Sequence, residues 1–584
     1  MKKESPVLKI VVMILLLLFS MNCRERESGV DYGNILGKII DAVTRNPIQG
    51  AVVTILELQK QATADSQGDY SFTGIETGTY TLKAAAGGYE ETTTQVTVKR
   101  EATSTLDFSL DSLSQGSTYY VAVNGSNANP GTKEKPWGTP GYASRHLQAG
   151  DTLIISSGNY ILGEYDEDII TPRSGSENAY ITIKGEEKQR PVLQGRNNLS
   201  HALTLSSYLI LENLEITSRD GAPFRDAVSQ IDIPVSNVII KNLYIHHIDE
   251  FGIDIADIDN LTVTDCRITY TGFGSIGGPQ GQKGGWQNVV INRCILSYNG
   301  HYYQGSAGPS PYARPDGFGI EPSSGPIEIR YSTAAHNRGD GFDSKAADTY
   351  IHNCIVANNS CDGIKLWAGD SKIENCLIYG TGDGVGGSSP WAGIVIDGEK
   401  DGDNFEIINV TLHDNPERQA YPMYIGYDQF ADITVTMRNS IVANGYGPAY
   451  FGPRVSVIIG HNIFFRPGST DQVEANGRMY TTADIQAGEL GAGNMVKDPL
   501  FILPAWGRTG DYHLQPGSPA IDAGTATGAP TVDLEGNPRP AGTGYDIGAY
   551  EKQEQKSIKG QVIYFSNSNF ERCIHFVSRD FSRL

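Results

Sequence analysis

The stretch His336–Cys376, HNRGDGFDSKAADTYIHNCIVANNSCDGIKLWAGDSKIENC, states one pattern twice. GFDSK…YIHNCIVANN returns as GIKLW…KIENCLIYG, and the aspartate of the first copy, Asp343, becomes Lys365 in the second. Outward from this pair, LENLEI, IKNLYI, VTDCRI, INRCIL, IRYSTA, IHNCIV, IENCLI, IINVTL and MRNSIV align on one register position. It is held by Asn213, Asn242, Asp265, Arg293, Tyr331, Asn353, Asn375, Asn409 and Asn439, at successive spacings of 29, 23, 28, 38, 22, 22, 34 and 30 residues. A period near 22 with insertions fits either a parallel β-helix or a leucine-rich repeat. The LxxLxLxxN pattern is absent, helix formers are sparse, and the strands are rich in Ile, Val and Thr. The expected fold is therefore all-β, a parallel β-helix.

In such a solenoid equivalent residues stack about 4.8 Å apart. Cys266, Cys294, Cys354 and Cys376 share the column next to the register position, which reads as an inward ladder of small apolar side chains and not as disulfide partners. Ten residues before Tyr331, Asn353 and Asn375 stand Glu321 in FGIE, Asp343 in DGFD and Lys365 in DGIK. Burying the apolar residue before each points these three outward, into one exposed charged column. The same count places Lys283 there, and Asp254 after a one-residue slip. A ladder of opposite charges on a solvated face is the bland alternative.

Long insertions flank this column, one with Tyr302, Tyr303 and Tyr312 and the other with Trp391, while Trp367 follows Lys365 by two residues on the same face. Loops on one side of a rigid solenoid commonly build its binding cleft. Aromatic rings beside carboxylates and a lysine suit sugar recognition, since ring faces stack on sugar C–H patches and polar groups fix the hydroxyls. The expected partner is an acidic polysaccharide or another glycan.

NRGDGFDSK, followed one coil later by CDGIKLWAG, resembles the ninth polysaccharide lyase family of pectate lyase-like enzymes, whose solenoid is right-handed. That family carries an N-x-D-D-G-F-D calcium-binding segment and, one coil on, N-G-F-K-L-G-G with its lysine as catalytic base. The resemblance implies that Asp340 and Asp343 are Ca2+ ligands and that Lys365 is the base, and stacking offers Glu321 or Asp316 as a further ligand from the preceding coil. Gly339 replaces the first aspartate of the family's pair, and Trp367 and Ala368 replace its glycines. One carboxylate fewer weakens a site that wants 6–8 oxygens.

The chemistry explains the grouping. β-Elimination in a uronic acid polymer removes a C5 proton that is barely acidic beside an ionised carboxylate, and a cation on that carboxylate stabilises the developing charge. A lysine has an ordinary pKa of about 10.4, too high for a base at neutral pH. A carboxylate neighbour favours its charged form further, and a cation held by Asp340 and Asp343 reverses that field. The alternative is a non-catalytic surface lipoprotein that binds glycan or matrix. Glycoside hydrolysis would need two facing carboxylates, and the paired-aspartate and His-Gly signatures of polygalacturonases are absent, as is the Asp-Pro-His-Asp of alginate epimerases.

The rest of the 584 residues divides around this solenoid, expected over 119–493. Residues 1–22 read as an export signal with Lys2 and Lys3 before an apolar run, Ile10 to Phe19, too short to span a bilayer. They resemble a bacterial lipoprotein signal with Cys23 acylated, although Asn22 departs from the usual small residue. An exported protein at the outer membrane or cell surface, held by a lipid anchor only, is expected. Residues 33–112 show period-2 alternation, as in Val52–Leu56, and GKIIDAVTRNPIQGAVVTI with DSQGDYSFTGIETGTY resembles the carboxypeptidase regulatory-like domain, a small β-sandwich. Residues 494–551 resemble the choice-of-anchor Q segment and are expected to cap the open end of the solenoid. Residues 552–584 match no pattern. The net charge of −21 argues against nucleic acid, no Cys/His set has zinc spacing, and a monomer is expected.

Overall fold

A computed structural model describes residues 31–42, 45–110, 116–163, 168–196, 199–218, 225–230, 232–301, 315–382, 391–414, 416–418 and 420–553. The leader, Cys23, Tyr302, Tyr303, Tyr312 and all but the first two residues of the 552–584 tail lie outside them.

The N-terminal unit is a sandwich of two sheets. Tyr32–Asp41 runs antiparallel to Asp69–Glu76 and parallel to Thr103–Thr105 and Phe108–Leu110. The facing sheet is ordered Lys60–Thr63, Val52–Ile55, Gly78–Ala85, Thr92–Val98. Alternation decides the faces: Val53 and Ile55 are buried with Ile35, Ile39, Leu82 and Phe108, while Val52 and Thr54 are half-buried.

The second unit is a parallel β-helix whose coils each give one strand to three long sheets of thirteen, twelve and twelve strands. Its register residues share one backbone state. Asn213, Asn242, Asp265, Arg293, Tyr331, Asn353, Asn375, Asn409 and Asn439 all have φ between 49° and 58°, the left-handed bend between first and second sheets. Asn and Asp tolerate that bend at low cost, which is why they recur. The cysteine column behind it is buried and its thiols are free. Each Sγ lies 3.5–3.8 Å from a carbonyl of the preceding coil.

The segment 494–551 departs from the expected end cap. It lies along the flank of the solenoid, over the outer side of the second sheet, where Phe501, Tyr512, Leu514 and Ile547 pack with Leu377, Tyr379, Ile441 and Ile463. The register asparagines hold it: Asn353 Nδ2 donates to Asp533 O (2.9 Å), Asn375 to Val532 O (2.7 Å), Asn409 to Gly548 O (3.1 Å) and Asn439 to Thr525 O (2.8 Å). The physical reason is in the strands. Arg267–Thr271 still alternates polar-out, but Leu377–Tyr379 and Ile441–Ala443 are apolar on both faces and need a cover. Past the last coils, an antiparallel strand, Arg478–Thr481, and the helix Thr482–Gln486 follow Asp471–Ala475, and Met495 pairs with Ile463.

Candidate functional site

Three successive strands of the third sheet build the site: Phe318–Ser323, Phe342–Ala346 and Ile364–Leu366. Phe318, Phe342 and Ile364 stack inside, so the next residue of each strand faces out. The outward column reads Asp254, Gly277, Gly319, Asp343, Lys365; Ile276 pairs with Phe318, which sets Gly277 beside Gly319. Asp254, Asp343 and Lys365 therefore share the column the sequence puts them in, but it is not the exposed column expected, since Asp254 and Lys365 are buried. Glu321 does not share it: Gly319 is the residue paired with Asp343, so Glu321 follows beside Lys345 and ion-pairs with it at 2.8 Å. Lys283 also leaves the column, because the insertion before Trp286 puts it in a turn where its backbone N–H donates to Asp257.

A second column, one turn earlier, is the Asp of each Asp-Gly pair. Asp316 Oδ1 accepts from Asp340 N (2.7 Å), Asp340 Oδ1 from Asp362 N (2.8 Å), and Asp362 Oδ1 from Ala392 N (2.9 Å). Glycine must follow at this point. A Cβ on Gly341 would lie 2.6 Å from Gly363 O and 2.3 Å from Val356. The two columns converge on Lys365, whose Nζ sits 3.0 Å from Asp340 Oδ2 and 3.1 Å from Asp362 Oδ2, with its side chain 3% exposed. Asp343 takes a different partner, the indole N–H of Trp367 at 2.7 Å. Trp391 packs edge-on to Trp367, and Lys365 Nζ lies 5.1 and 5.8 Å from the two rings.

Asp316, Asp340 and Asp343 bring ligand oxygens within 4.8 Å of one another. With Asp362 they make four carboxylates around one ammonium. Burial, then the charges of Asp340 and Asp343, push Asp316 well above the ordinary carboxyl range; burial holds Asp343 at about 6, and burial and Asp340 raise Asp362. An excess of buried negative charge presented by oxygen donors is what a hard divalent cation neutralises, so these residues fit Ca2+. Of the two further ligands offered by stacking, Asp316 joins this group, while Glu321 is set against Lys345. A trough of about 290 Å³ opens over the site, lined among others by Phe251, Asp316, Gly319, Asp343, Lys345 and Lys365. Its floor depends on glycine: a Cβ on Gly319 would lie 2.7 Å from Asp316 Oδ2.

Asp362 is the residue that sequence reasoning passed over. Its signal was present, since Asp-Gly precedes each of the three strands in PDGFGI, GDGFDS and CDGIKL. A buried asparagine ladder braces the same turn. Asn299 Nδ2 donates to Asn337 Oδ1 (2.7 Å) and Asn337 Nδ2 to Asn359 Oδ1 (3.0 Å).

Fold and site together define a pectate lyase-like solenoid. The family model for the Pel9A-like, right handed beta helix region matches residues 119–418, and that for the carboxypeptidase regulatory-like domain matches residues 34–111. The chain belongs to the Pel9A-like β-helix family. Among solved structures it is similar to pectate lyase Pel9A (14% identity, 76% of this chain and 98% of that one, TM-score 0.39) and to XylC in complex with xylose (12%, 75% and 99%, TM-score 0.47). The uncharacterized protein YwoF of Bacillus subtilis (strain 168) is 30% identical over 146 residues, which are 23% of this chain and 29% of that relative's length.

Proposed function

We propose that the protein is an exported, lipid-anchored polysaccharide lyase that cleaves a uronic acid polymer by β-elimination, with Lys365 as the base. The observation that carries this reading is the convergence of three carboxylates, with oxygens within 4.8 Å of one another, beside the Lys365 amine on the floor of an open trough. Asp316, Asp340 and Asp343 would hold the calcium ion. When bound, that ion neutralises the substrate carboxylate and stabilises charge developing at C5. Lys365, as the free amine, takes the C5 proton; the C–H electron pair becomes the C4–C5 double bond, the C4–O bond breaks, and the departing oxygen is protonated by solvent. Asp340 fixes the amine by a hydrogen bond and Asp362 by an ion pair. Trp367 fixes Asp343, and with Trp391 it walls the amine from water on one side.

A second reading, a non-catalytic glycan- or matrix-binding surface protein, is favoured by the burial and double ion pairing of Lys365, which serve architecture equally well. Ultraviolet absorbance of unsaturated uronate products separates the two, followed on polygalacturonate and other uronic acid polymers with calcium and with chelator. A calcium-dependent rise establishes the lyase. No rise on any polymer, with glycan binding intact, establishes the binding protein.

A further inference from the structure

Beyond Lys365 the outward column of the third sheet changes character. It continues as Val395, Tyr424, Tyr450 and Glu474. Tyr424 leaves the strand Tyr421–Ile425 on the outer side, because Met423 and Ile425 are fully buried, and Tyr421, half-buried at the start of the strand, lays its ring against that of Tyr424. The rings form one connected group. Tyr421 stacks on Tyr424 (5.3 Å), Tyr424 on Tyr427 (4.7 Å) and, tilted, on Tyr450 (5.0 Å), while Tyr446 meets Tyr421 edge-on at 6.4 Å. The backbone makes room for it, since a Cβ on Gly447 would lie 2.3 Å from the Tyr421 ring. Tyr427 is 51% exposed and Tyr446 47%.

The group joins the site already described. Tyr421 N donates to Trp391 O at 2.9 Å, and Trp391 stands over Lys365. At about 4.8 Å per coil, Tyr424 and Tyr450 lie about 10 and 14 Å along the column from Lys365. The charge differs sharply between the two ends. The lyase end carries Lys345 and Lys365 with the candidate metal ligands, whereas the column beyond Tyr450 meets Glu474. Arg466, beside Tyr446, spends its guanidinium on Tyr446 O and Asp471 O.

We infer that Tyr421, Tyr424, Tyr427, Tyr446 and Tyr450 form a binding platform for neutral sugar residues of the polymer whose uronate sits at Lys365. Ring faces and hydroxyls suit the C–H patches and hydroxyls of neutral pyranoses, and with Glu474 next in the column and the Arg466 guanidinium held by backbone carbonyls the platform disfavours an unbroken run of uronates. The substrate class is thus a heteropolysaccharide in which uronate alternates with or gives way to neutral sugar. This inference rests on the proposed function for its orientation, but binding tests it separately.

The test measures calorimetric binding in a Lys365→Arg background, which keeps a cation between Asp340 and Asp362 but removes the base. The probes are polygalacturonate, all uronate, and two alternating polymers, the rhamnogalacturonan I backbone and hyaluronan. The expected result is binding of an alternating polymer that Tyr427→Ala with Tyr446→Ala weakens roughly tenfold, the scale of one aromatic contact, with polygalacturonate binding changed less and the melting temperature unmoved. Equal weakening for both classes, no weakening, or no binding of either alternating polymer overturns the platform. Turnover by the parent chain is read independently: tyrosine-dependent binding without turnover sinks the lyase and leaves the platform standing, and turnover indifferent to the tyrosines does the reverse.

Discussion

Two regions of this molecule bury several charges together, and they handle them differently. In the C-terminal strap, Arg539 and Glu551 form a fully buried pair at 2.9 Å. Arg539 also donates to Gly548 O, and the acids around it accept backbone N–H groups: Asp533 from Glu535 and Asn537, Asp546 from Asp522 and Lys552, Glu551 from Ala541. In the Lys365 site, four carboxylates face one ammonium, and three of them are pushed toward their protonated forms. The first arrangement is completed largely by the backbone, with Arg539 Nε lacking a hydrogen-bond partner among the described residues and burial lifting Asp546 to about 6; the second, with four carboxylates about the Lys365 ammonium, is left further short of positive charge. The comparison teaches where a ligand belongs, because a cluster that folding alone has satisfied gains nothing from a cation.

The sharpest break of this comparison is Lys365→Arg. The guanidinium preserves the charge yet cannot serve as a base near neutral pH, so turnover on a uronic acid polymer is expected to fall about 10²–10⁴-fold while the melting curve stays close to that of the parent. If thermal stability collapses and residual turnover per folded molecule is normal, Lys365 is architecture like Arg539.

Arg539→Ala is the converse. It strands Glu551 in a buried site, at a cost of roughly 3–5 kcal/mol, and denaturant titration is expected to show that loss. Product formation per folded molecule should be unchanged, since the strap lies on the second sheet and the site on the third.

A pair of buried acids elsewhere sharpens the rule that burial only partly offset by a cation leaves a pH signature. Asp226 and Asp254 are buried neighbours on the third sheet with Arg225 and Glu250 about them, and burial first, then the Asp254 charge, lift Asp226 to about 7 from an ordinary 3.8. Its folded value exceeds its unfolded one, so its stabilising contribution is fully present below pH 3.8 and is lost as pH rises through about 7. Asp226→Asn, which keeps an oxygen for Phe251 N, is expected to flatten the fall in stability across that window by a few kcal/mol at most. Melting temperatures of both proteins across the window check it, and parallel profiles would remove Asp226 as the cause.

What could be read from the sequence follows from how locally each feature is encoded. The period, the cysteine column and the outward alternation of Asp343 and Lys365 are properties of single strands, and all three appear in the structure. The displacement of Glu321 is not: between Ile320 and Ile327 this coil carries two residues more than the next, one of them at the register shift before Ser323, and a count of ten back from Tyr331 passes over both because the strand pattern FGIEPS stays intact. The strap was illegible for a different reason. Its contacts with Asn353, Asn375 and Asn409 span 137 to 180 residues, and the only local trace is the loss of polar alternation in Leu377–Tyr379 and Ile441–Ala443. Asp362 was visible as an Asp-Gly repeat, but its role required knowing that each such carboxylate reaches the next coil.

That register shift yields the smallest and most discriminating prediction. Glu321 and Asp316 were equal candidates for a ligand from the coil before Asp340, and geometry separates them: Asp316 belongs to the group within 4.8 Å, and Glu321 pairs with Lys345 on a half-exposed rim. Glu321→Gln removes a solvent-screened pair worth less than about 1 kcal/mol. Calcium titration of that variant is expected to match the parent, while Asp316→Asn, which removes one of three carboxylates, weakens calcium binding severalfold or more. Should Glu321→Gln weaken calcium as much as Asp316→Asn does, the ion sits closer to the rim than the buried carboxylates indicate, and the line drawn between the satisfied strap and the charge-poor site must move outward to include the Lys345 pair.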